Sequence, residues 1–308
     1  GSCGETLSCP NCSVALTHHA KRKQLSCHYC GFVRKSLKKC PACNEPSLEG
    51  NGVGTEQVED ALREMIPQAR IARLDRDSTK SRGTLDRVLA SWAAHEYDVL
   101  IGTQMVAKGH DVAGVTLVGV ILADTTLNRP DFRAAERTFQ LLAQVAGRAG
   151  RGADEGKVII QTFVPRHYSI QCAARHDYHG FAAEELRYRR HLGYPPYMRL
   201  INVRFEGKNG DEVQAVACAY SGIIDRVLRS REFCVKFLNG SDERPVVLGP
   251  APAPIERIKQ RDRWQLLLKG PNRSLLHAIV EKAEEAFSVA KMPRTVRTII
   301  DVDPYSVV

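Results

Sequence analysis

The sequence has no long hydrophobic segment and no segment typical of a secretory signal. Its longest almost entirely apolar run, Val115 to Ala123, has nine residues, whereas a helix needs about 20 apolar residues to cross a bilayer. No basic stretch followed by an apolar one opens the chain. We therefore expect a cytoplasmic protein that has no membrane partner.

The composition also excludes a disordered chain. Hydrophobic residues make up 43% of the 308 residues and charged residues 26%, which are ordinary values for globular proteins. The length fits two or three domains. The formal net charge is +9, an excess that suggests an anionic partner. This charge is uneven, because the net values are +4 for residues 1–50, −1 for 51–164 and +6 for 165–308.

Cysteine is concentrated at one end of the chain. Seven of the ten cysteines lie within the first 43 residues, and six of them form three C-x-x-C pairs: Cys9 with Cys12, Cys27 with Cys30, and Cys40 with Cys43. Two thiolates at this spacing can bind one tetrahedral zinc ion. The first two pairs are separated by 14 residues, close to the spacing of a zinc ribbon, so these four cysteines predict a first zinc site.

The third pair needs further ligands to complete a second site. Cys3 supplies one thiolate, and Gly4 follows it as Gly31 follows Cys30. We expect the missing ligand to stand immediately before Gly1 in a longer protein. The sequence thus predicts a module over residues 1–50 that binds two zinc ions and needs them to fold, since it has few large apolar side chains. The alternatives are a disulfide framework, which requires a secreted protein, and a thiol redox pair.

From residue 51 onward, the apolar residues alternate between helical and strand patterns. Helices are predicted from Thr55 to Ile66, Thr84 to His95 and Phe132 to Ala149, and strands over residues 69–75, 98–102, 115–124 and 156–163. This alternation predicts a parallel sheet with right-handed crossovers in a domain over residues 51–193. Ligands bind such sheets at the carboxyl ends of the strands.

Two loops of this domain carry residues suited to phosphate. One is Gly102-Thr-Gln-Met-Val-Ala-Lys-Gly-His-Asp111, and the other spans residues 144–152. A helix would place Gln144, Arg148 and Arg151 on one face, where two guanidinium groups suit a triphosphate. The alternative for the second loop is a basic helix end that only interacts with the helix dipole.

These loops resemble two motifs of superfamily 2 helicases. Residues 144–151 resemble motif VI, and residues 102–111 resemble motif V. Together with the cysteine pattern, the segment Asp131-Phe-Arg-Ala-x-Glu-Arg137 and the terminal Asp301-Val-Asp-Pro304, they make the whole chain resemble the PriA family of primosomal replication-restart helicases. In that family a module with eight zinc cysteines precedes the second RecA-like lobe, and a C-terminal domain follows.

The resemblance implies part of a bacterial, nucleoid-associated 3′→5′ DNA helicase. Such a protein binds stalled or branched forks and single-stranded DNA, and it helps to assemble the primosome with other primosome and helicase-loading proteins. ATP lies between the two lobes, where motif VI arginines stabilise charge on the γ-phosphoryl group. The implied roles are transition-state stabilisation for Arg148 and Arg151, phosphate contact for Gln144, nucleotide sensing for Gly109 and Asp111, and DNA contact for Thr103 and Lys108.

The chain departs from a complete helicase in one respect. It contains no G-x-x-x-x-G-K-S/T segment and no Asp-Glu-x-His box, the motifs that hold the phosphates and Mg²⁺ in a first lobe. We therefore expect ATP and Mg²⁺ only with that missing lobe, and no ATP hydrolysis by this chain alone. The alternative function is a non-enzymatic zinc-ribbon adaptor that binds nucleic acid and has kept a helicase-like lobe.

The last third predicts a separate domain over residues 194–308. The segment Gly193-Tyr-Pro-Pro-Tyr197 indicates a linker, because paired prolines disfavour helix. The predicted strands and helices after it suggest a small ferredoxin-like α+β sandwich. The whole chain is thus a mixed α/β protein, which we expect to be monomeric.

Two sets of residues in this last domain suggest binding. Arg257, Lys259, Arg261 and Arg263 alternate with other residues, so an extended strand or a hairpin is expected to place all four on one face. They are candidates for DNA contact, and a solvated edge strand is the alternative. The resemblance adds a pocket for the acidic C-terminal tail of single-stranded-DNA-binding protein, at Arg273 and at His277, where the family has glutamine.

Overall fold

The computed structural model describes residues 7–19, 23–37, 39–41, 43–44, 54–75, 83–103, 114–150, 155–234, 244–290 and 292–308. Along these ranges it has the mixed α/β architecture that the sequence predicts: a cysteine-rich module, a lobe with parallel strands and an antiparallel C-terminal domain. Within the described ranges, no helix has both the length and the apolar character needed to cross a membrane.

The N-terminal module consists of short antiparallel strands. They are β1 (Ser8–Cys9), β2 (Cys12–Ala15), β3 (Thr17–His19), β4 (Gln24–Ser26) and β5 (Val33–Lys35), arranged as a β1-β2 pair and a β3-β4-β5 sheet. Its buried cluster is made of Cys9, Cys12 and Cys27, with Phe32 packed against it. Cysteine sulfurs therefore occupy the place of an apolar core, as expected for a module that depends on metal.

The middle lobe contains two parallel strand pairs. Its first part is α1 (Thr55–Met65), β6 (Ile71–Leu74), α2 (Thr84–Ala93) and β7 (Val99–Gly102); its second part is β8 (Leu117–Val120), α3 (Asp124–Leu127), α4 (Ala134–Ala146) and β9 (Lys157–Ile160). β6 pairs with β7 and β8 pairs with β9, both in parallel. The predicted parallel pairing is confirmed, although the described strands form two pairs and not one continuous sheet.

Two boundaries in this lobe differ from the sequence-based expectation. The apolar run from Val115 forms only the short strand β8, because Leu122 has a φ of 52° and the chain then enters helix α3. A non-glycine residue in that region of φ ends an extended strand. The long helix expected to end at Ala149 ends at Ala146, so Arg148 lies outside the helix.

Three helices pack together behind β8 and β9. α5 (Tyr168–Ala174) and α6 (Tyr178–Leu192) cover α4, and Phe139, Leu142, Ile170 and Phe181 form their buried core. The rings of Phe139 and Phe181 are stacked at 4.1 Å. α6 is capped at its start by Asp177 and at its end by Gly193, whose φ of 63° suits glycine.

The C-terminal domain is a four-stranded antiparallel sheet with two helices. The elements are β10 (Arg199–Gly207), α7 (Gly210–Arg229), β11 (Val246–Ile258), β12 (Arg261–Gly270), α8 (Arg273–Val289) and β13 (Arg297–Val302). The strand order is β11-β12-β10-β13. This β-α-β-β-α-β order is that of the ferredoxin-like sandwich, so the predicted fold is confirmed. Phe205, Tyr220, Leu268 and Ile279 are fully buried between the sheet and the helices.

Candidate metal centre and nucleic-acid interface

Four cysteine sulfurs converge in the N-terminal module. The Sγ atoms of Cys9, Cys12, Cys27 and Cys30 all lie within 4.8 Å of one another, and only Cys30 is not fully buried. The four are free thiols, and the Sγ atoms of Cys9 and Cys30 are 3.6 Å apart. Sulfurs that share a zinc ion at about 2.3 Å are about 3.8 Å from each other. The cluster therefore fits one tetrahedral zinc ion, which would have a structural role there.

Burial opposes ionisation of these thiols unless a cation is present. It raises the pKa of Cys9, and it raises the pKa of Cys12 to about 12 although the Lys259 backbone N–H donates to that sulfur. Burial acts in the same direction on Cys30, but hydrogen bonds from the Phe32 backbone and neighbouring thiols outweigh it and lower the pKa to about 7. A divalent cation that binds thiolates removes this conflict, so the chemistry of the cluster also favours metal.

The third cysteine pair has the same turn as the second. Gly31, after Cys30, has a φ of 77° and donates its N–H to the Cys27 carbonyl oxygen at 2.9 Å. Asn44, after Cys43, has a φ of 62° and donates to the Cys40 carbonyl oxygen at 2.9 Å. Glycine and asparagine adopt this conformation most readily. The third pair thus has the local geometry of a metal-binding turn, with Cys40 buried and Cys43 half-buried.

Several predicted site residues lie outside the described residues. They are Cys3 of the second zinc site, Lys108, Gly109 and Asp111 of motif V, and Arg151 of motif VI. Of motif V, the structure describes Thr103, which is exposed immediately after β7. Because β6 and β7 are parallel, Thr103 lies at the carboxyl end of that pair, where such lobes bind ligands.

The motif VI turn is not placed as the sequence suggested. α4 contains Gln144 but ends at Ala146, and Gly147 donates its N–H to the Ala143 carbonyl oxygen. Arg148 is therefore in the turn after the helix, half-buried, and the prediction of one continuous helical face is wrong. The helix gives way here to i→i+3 hydrogen bonds, from the Arg148 N–H to the Val145 carbonyl oxygen and from the Ala149 N–H to that of Ala146, after a glycine of low helix propensity.

This turn contacts the backbone at the amino ends of two parallel strands. The N–H of Gly150 donates to the carbonyl oxygen of Val115, just before β8, at 3.0 Å. Gly150 has a φ of 78°, and a Cβ on Gly156, just before β9, would lie 2.1 Å from the Gly150 nitrogen. Both glycines are required by this close approach. The turn thus lies at the amino edge of the pair, because a crossover helix must return the chain to the start of the next parallel strand.

The four alternating cations do not share one face. β11 and β12 form a hairpin whose two-residue turn is Lys259-Gln260, and Arg257 pairs across it with Asp262. The Arg257 Nε donates to Asp262 at 2.7 Å, on the side of the hairpin opposite Arg261. An extended strand or a hairpin was expected to place all four cations on one face. The segment does form a hairpin, but the shared face is wrong, because the pairing of Ile258 with Arg261 puts Arg261 on the side opposite Arg257.

Arg263 is held inside the domain. Its side chain is only 7% exposed, and its Nε donates to Glu206 at 3.2 Å. Its Nη1 donates to the Ile255 carbonyl oxygen at 3.3 Å. These contacts cross-link β10, β11 and β12, whereas Lys259 and Arg261 are exposed at the tip of the hairpin.

Arg273 and His277 lie one turn apart on an exposed face at the start of α8. The Arg273 guanidinium is 65% exposed and lies 4.0 Å from the Asp303 carboxylate. The preceding Asn272 caps the helix through the Leu275 N–H. The arginine is thus accessible to an incoming carboxylate.

Sequence reasoning missed the junction between the middle lobe and the C-terminal domain. The Asp131 carboxylate accepts from Arg137 Nη1 at 3.1 Å and from the Ser306 hydroxyl at 2.5 Å, 175 residues away in sequence. On the other side, the Lys269 Nζ donates to the Leu192 carbonyl oxygen at 2.6 Å and lies 4.1 Å from the centre of the Tyr194 ring. The only signal in the sequence was the charged segment that begins at Asp131, which periodicity could not interpret.

Comparison with known proteins defines the class of the chain. Residues 9–35 match the model of the PriA DNA helicase Cys-rich region domain. Residues 53–153 match the helicase conserved C-terminal domain, and residues 190–305 match the primosomal protein N C-terminal domain. A metal-binding ribbon, a helicase lobe and a primosomal domain thus follow one another along the chain.

Similar proteins identify the family. Replication restart protein PriA of Synechocystis is 43% identical over 99% of this chain and 35% of its own length. PriA of Bacillus subtilis is 41% identical over 98% of this chain and 36% of its own length, and that of Treponema pallidum is 39% identical over 99% and 44%. The chain belongs to the PriA family. It spans between about a third and a little under half of the length of these relatives.

Among solved structures, a hydantoinase/carbamoylase family amidase from Burkholderia ambifaria overlaps 35% of this chain and 27% of its own at 13% identity and a TM-score of 0.23. That likeness is too weak to indicate a shared fold.

Proposed function

We propose that this chain is the zinc-binding, second-lobe and C-terminal part of a replication-restart DNA helicase. In this proposal the whole protein binds stalled or branched forks and single-stranded DNA in the bacterial cytoplasm, at the nucleoid. It moves 3′→5′ and helps other primosome proteins to load the replicative helicase. The observation that carries the proposal is a four-cysteine cluster in the same chain as a helicase C-terminal lobe.

The proposed nucleotide contacts come from the turn after α4. Arg148 and Arg151 would face the γ-phosphate of ATP held by a first lobe, with Gln144 near the phosphates and Gly109 and Asp111 responding to the nucleotide. ATP bound with Mg²⁺ supplies the hydrolysis that drives movement. The backbone contacts of Gly150 support this role, since a turn already fixed to the sheet loses little freedom when its guanidinium groups bind phosphate.

The proposed DNA contacts are Thr103 and Lys108 after β7, and the exposed cations at the hairpin tip. Lys259 and Arg261 are exposed there, so they are suited to a phosphate backbone. Arg257 has to exchange its Asp262 partner for phosphate, and Arg263 acts by holding the three strands together. The proposed DNA site of this domain therefore consists chiefly of the exposed cations Lys259 and Arg261.

We further propose a second zinc ion at Cys3, Cys40 and Cys43 with a fourth ligand. The turn at Asn44, which matches the turn at Gly31, supports this site. We also propose that Arg273 pairs with the terminal carboxylate of the single-stranded-DNA-binding protein tail, with His277 beside it, and that the protein acts as a monomer.

ATP turnover tests the proposed function. A protein that joins this chain to a first helicase lobe is compared with its Arg148→Ala variant and with Arg175→Ala, an exposed arginine of the same lobe. We expect a loss of about 10³-fold in DNA-stimulated kcat for Arg148→Ala, no loss for Arg175→Ala, and no turnover by the 308-residue chain alone. Equal rates for the two variants would refute the assignment. Normal fork binding without any turnover would favour the non-enzymatic adaptor.

A further inference from the structure

The tip of the C-terminal hairpin contacts the turn of the first zinc site. The backbone N–H of Lys259 donates to the Sγ of Cys12 at 3.3 Å, across 247 residues of sequence. Next to it, the Gln260 N–H donates to the Asn11 carbonyl oxygen at 2.8 Å, and the Gln260 side-chain amide donates to the Asn11 Oδ1 at 3.0 Å. A domain at the other end of the chain thus supplies a donor to a cysteine of the metal centre.

The conformation of the tip is unusual for its residues. Lys259 and Gln260 have φ values of 51° and 60°, which a two-residue hairpin turn of this type requires and which asparagine and glycine adopt most easily. A residue other than glycine adopts this conformation only with backbone strain. The turn directs both N–H groups towards the zinc module, and Ile258 packs against the cluster of Cys9, Cys12 and Cys27. These contacts offset the strain.

Asn11 links the hairpin to the other side of the metal site. Its backbone N–H donates to the Cys9 Sγ at 3.4 Å, and its Nδ2 donates to the Cys30 Sγ at 3.8 Å. Its two oxygens accept from Gln260. Between them, Lys259 and Asn11 donate to three of the four cysteine sulfurs, and hydrogen bonds of this kind orient metal ligands.

We propose that the hairpin tip is a structural part of the first zinc site, so that zinc binding and the docking of the C-terminal domain onto the zinc module are coupled. A zinc-bound cysteine is a thiolate, and a hydrogen bond to a charged acceptor is stronger than one to a neutral acceptor. Zinc therefore strengthens the contact with Lys259, and by reciprocity the contact strengthens zinc binding. The coupling does not depend on helicase activity.

Hydrogen exchange tests one direction of the coupling. The zinc-loaded chain is compared with the same chain after chelation, and exchange is followed at Lys259 and Gln260, with β13 as the internal control. We expect both hairpin amides to exchange about 10-fold faster or more without zinc, while β13 stays unchanged. Unchanged hairpin amides, or equal acceleration across the C-terminal domain, would overturn the proposal.

Zinc release tests the other direction. All proteins in this test carry Cys43→Ser, which removes a ligand of the proposed second site, so that the zinc released comes mainly from the first site. The rate of zinc release to a chromogenic chelator is measured. Lys259→Pro removes the N–H that donates to Cys12, and proline cannot adopt the φ of 51° at this position, so this variant takes the hairpin tip out of contact with the zinc site. The double variant Lys259→Asn/Gln260→Gly keeps both N–H groups in a turn that it favours. We expect release about 10-fold faster for the proline variant and near the parental rate for the double variant. Equal rates for all three would contradict the coupling, and unchanged exchange at β13 shows that the domain remains folded.

Discussion

The replacement Asp131→Asn tests how the end of the chain is held against the middle lobe. The Asp131 side chain is completely buried, and it accepts from Arg137 and Ser306 and from the backbone N–H of Arg133 at 2.9 Å. Arg137 also donates to the Tyr305 carbonyl oxygen at 2.9 Å, and its guanidinium lies 4.9 Å from the Tyr305 ring centre. The carboxylate thus fixes the cation that holds the last residues.

The size of the effect follows from the charge that is lost. Removing one partner of a buried ion pair costs about 3–5 kcal/mol. Asparagine retains an acceptor for Arg133 and a neutral bond to Arg137, which is 18% exposed, so we expect a smaller loss of about 2–3 kcal/mol. At about 1.4 kcal/mol per factor of ten, the tail then opens about 30- to 150-fold more often.

Hydrogen exchange of residues 303–308 measures this opening. Asp301→Asn, which removes an exposed carboxylate from the adjacent strand β13, is the matched control and should leave the exchange unchanged. Ser306→Ala removes a single hydrogen bond and should give an intermediate effect of about 1 kcal/mol. If residues 303–308 exchange as slowly in Asp131→Asn as in the parental protein, or if the two aspartate variants have equal effects, the Asp131 carboxylate does not hold these residues.

Three further predictions concern the other domains. Lys269→Met removes the donor to the Leu192 carbonyl oxygen and should lower the free energy of unfolding in urea by about 1–3 kcal/mol; no change would exclude a role in the junction. Cys27→Ser should remove about one zinc ion per chain by metal analysis and unfold the N-terminal module, and an unchanged zinc content would exclude the four-cysteine site. Leu142→Ala should cost about 2–5 kcal/mol in urea because Leu142 is fully buried, whereas Leu117→Ala, at a 58% exposed position, should cost about 0.5 kcal/mol or less. Equal losses for the two leucine variants would contradict the packing.

The features that depend on local spacing could be predicted from the sequence. The C-x-x-C spacing indicated the first metal site, because two thiolates at that separation already suit one ion. The order of strands and helices after Tyr197 indicated the ferredoxin-like sandwich, since that order leaves few ways to pair the strands. These predictions needed no knowledge of contacts between distant residues.

The features that depend on strained turns or on distant contacts could not be predicted. Lys259 and Gln260 are not the residues that a tight hairpin turn favours, so the sequence indicated neither where the turn lies nor on which side of a hairpin each cation falls. The residue pattern also gave no reason to end α4 before Arg148, because a glycine is tolerated inside a helix at moderate cost. The contact between Asp131 and Ser306 joins residues that nothing in the local sequence relates.

Binding to forked and linear DNA of equal length and at fixed salt tests the proposal that the zinc-loaded chain recognises branched DNA. Fluorescence anisotropy measures the affinity of the zinc-loaded chain for both substrates, and that of the same chain after a chelator has removed the zinc. The linear DNA and the fixed salt are needed because phosphate contacts alone bind any DNA in a salt-dependent way. We expect tighter binding to the fork than to the linear duplex, and loss of this preference when zinc is removed. Equal affinity for the two substrates with zinc bound would contradict it.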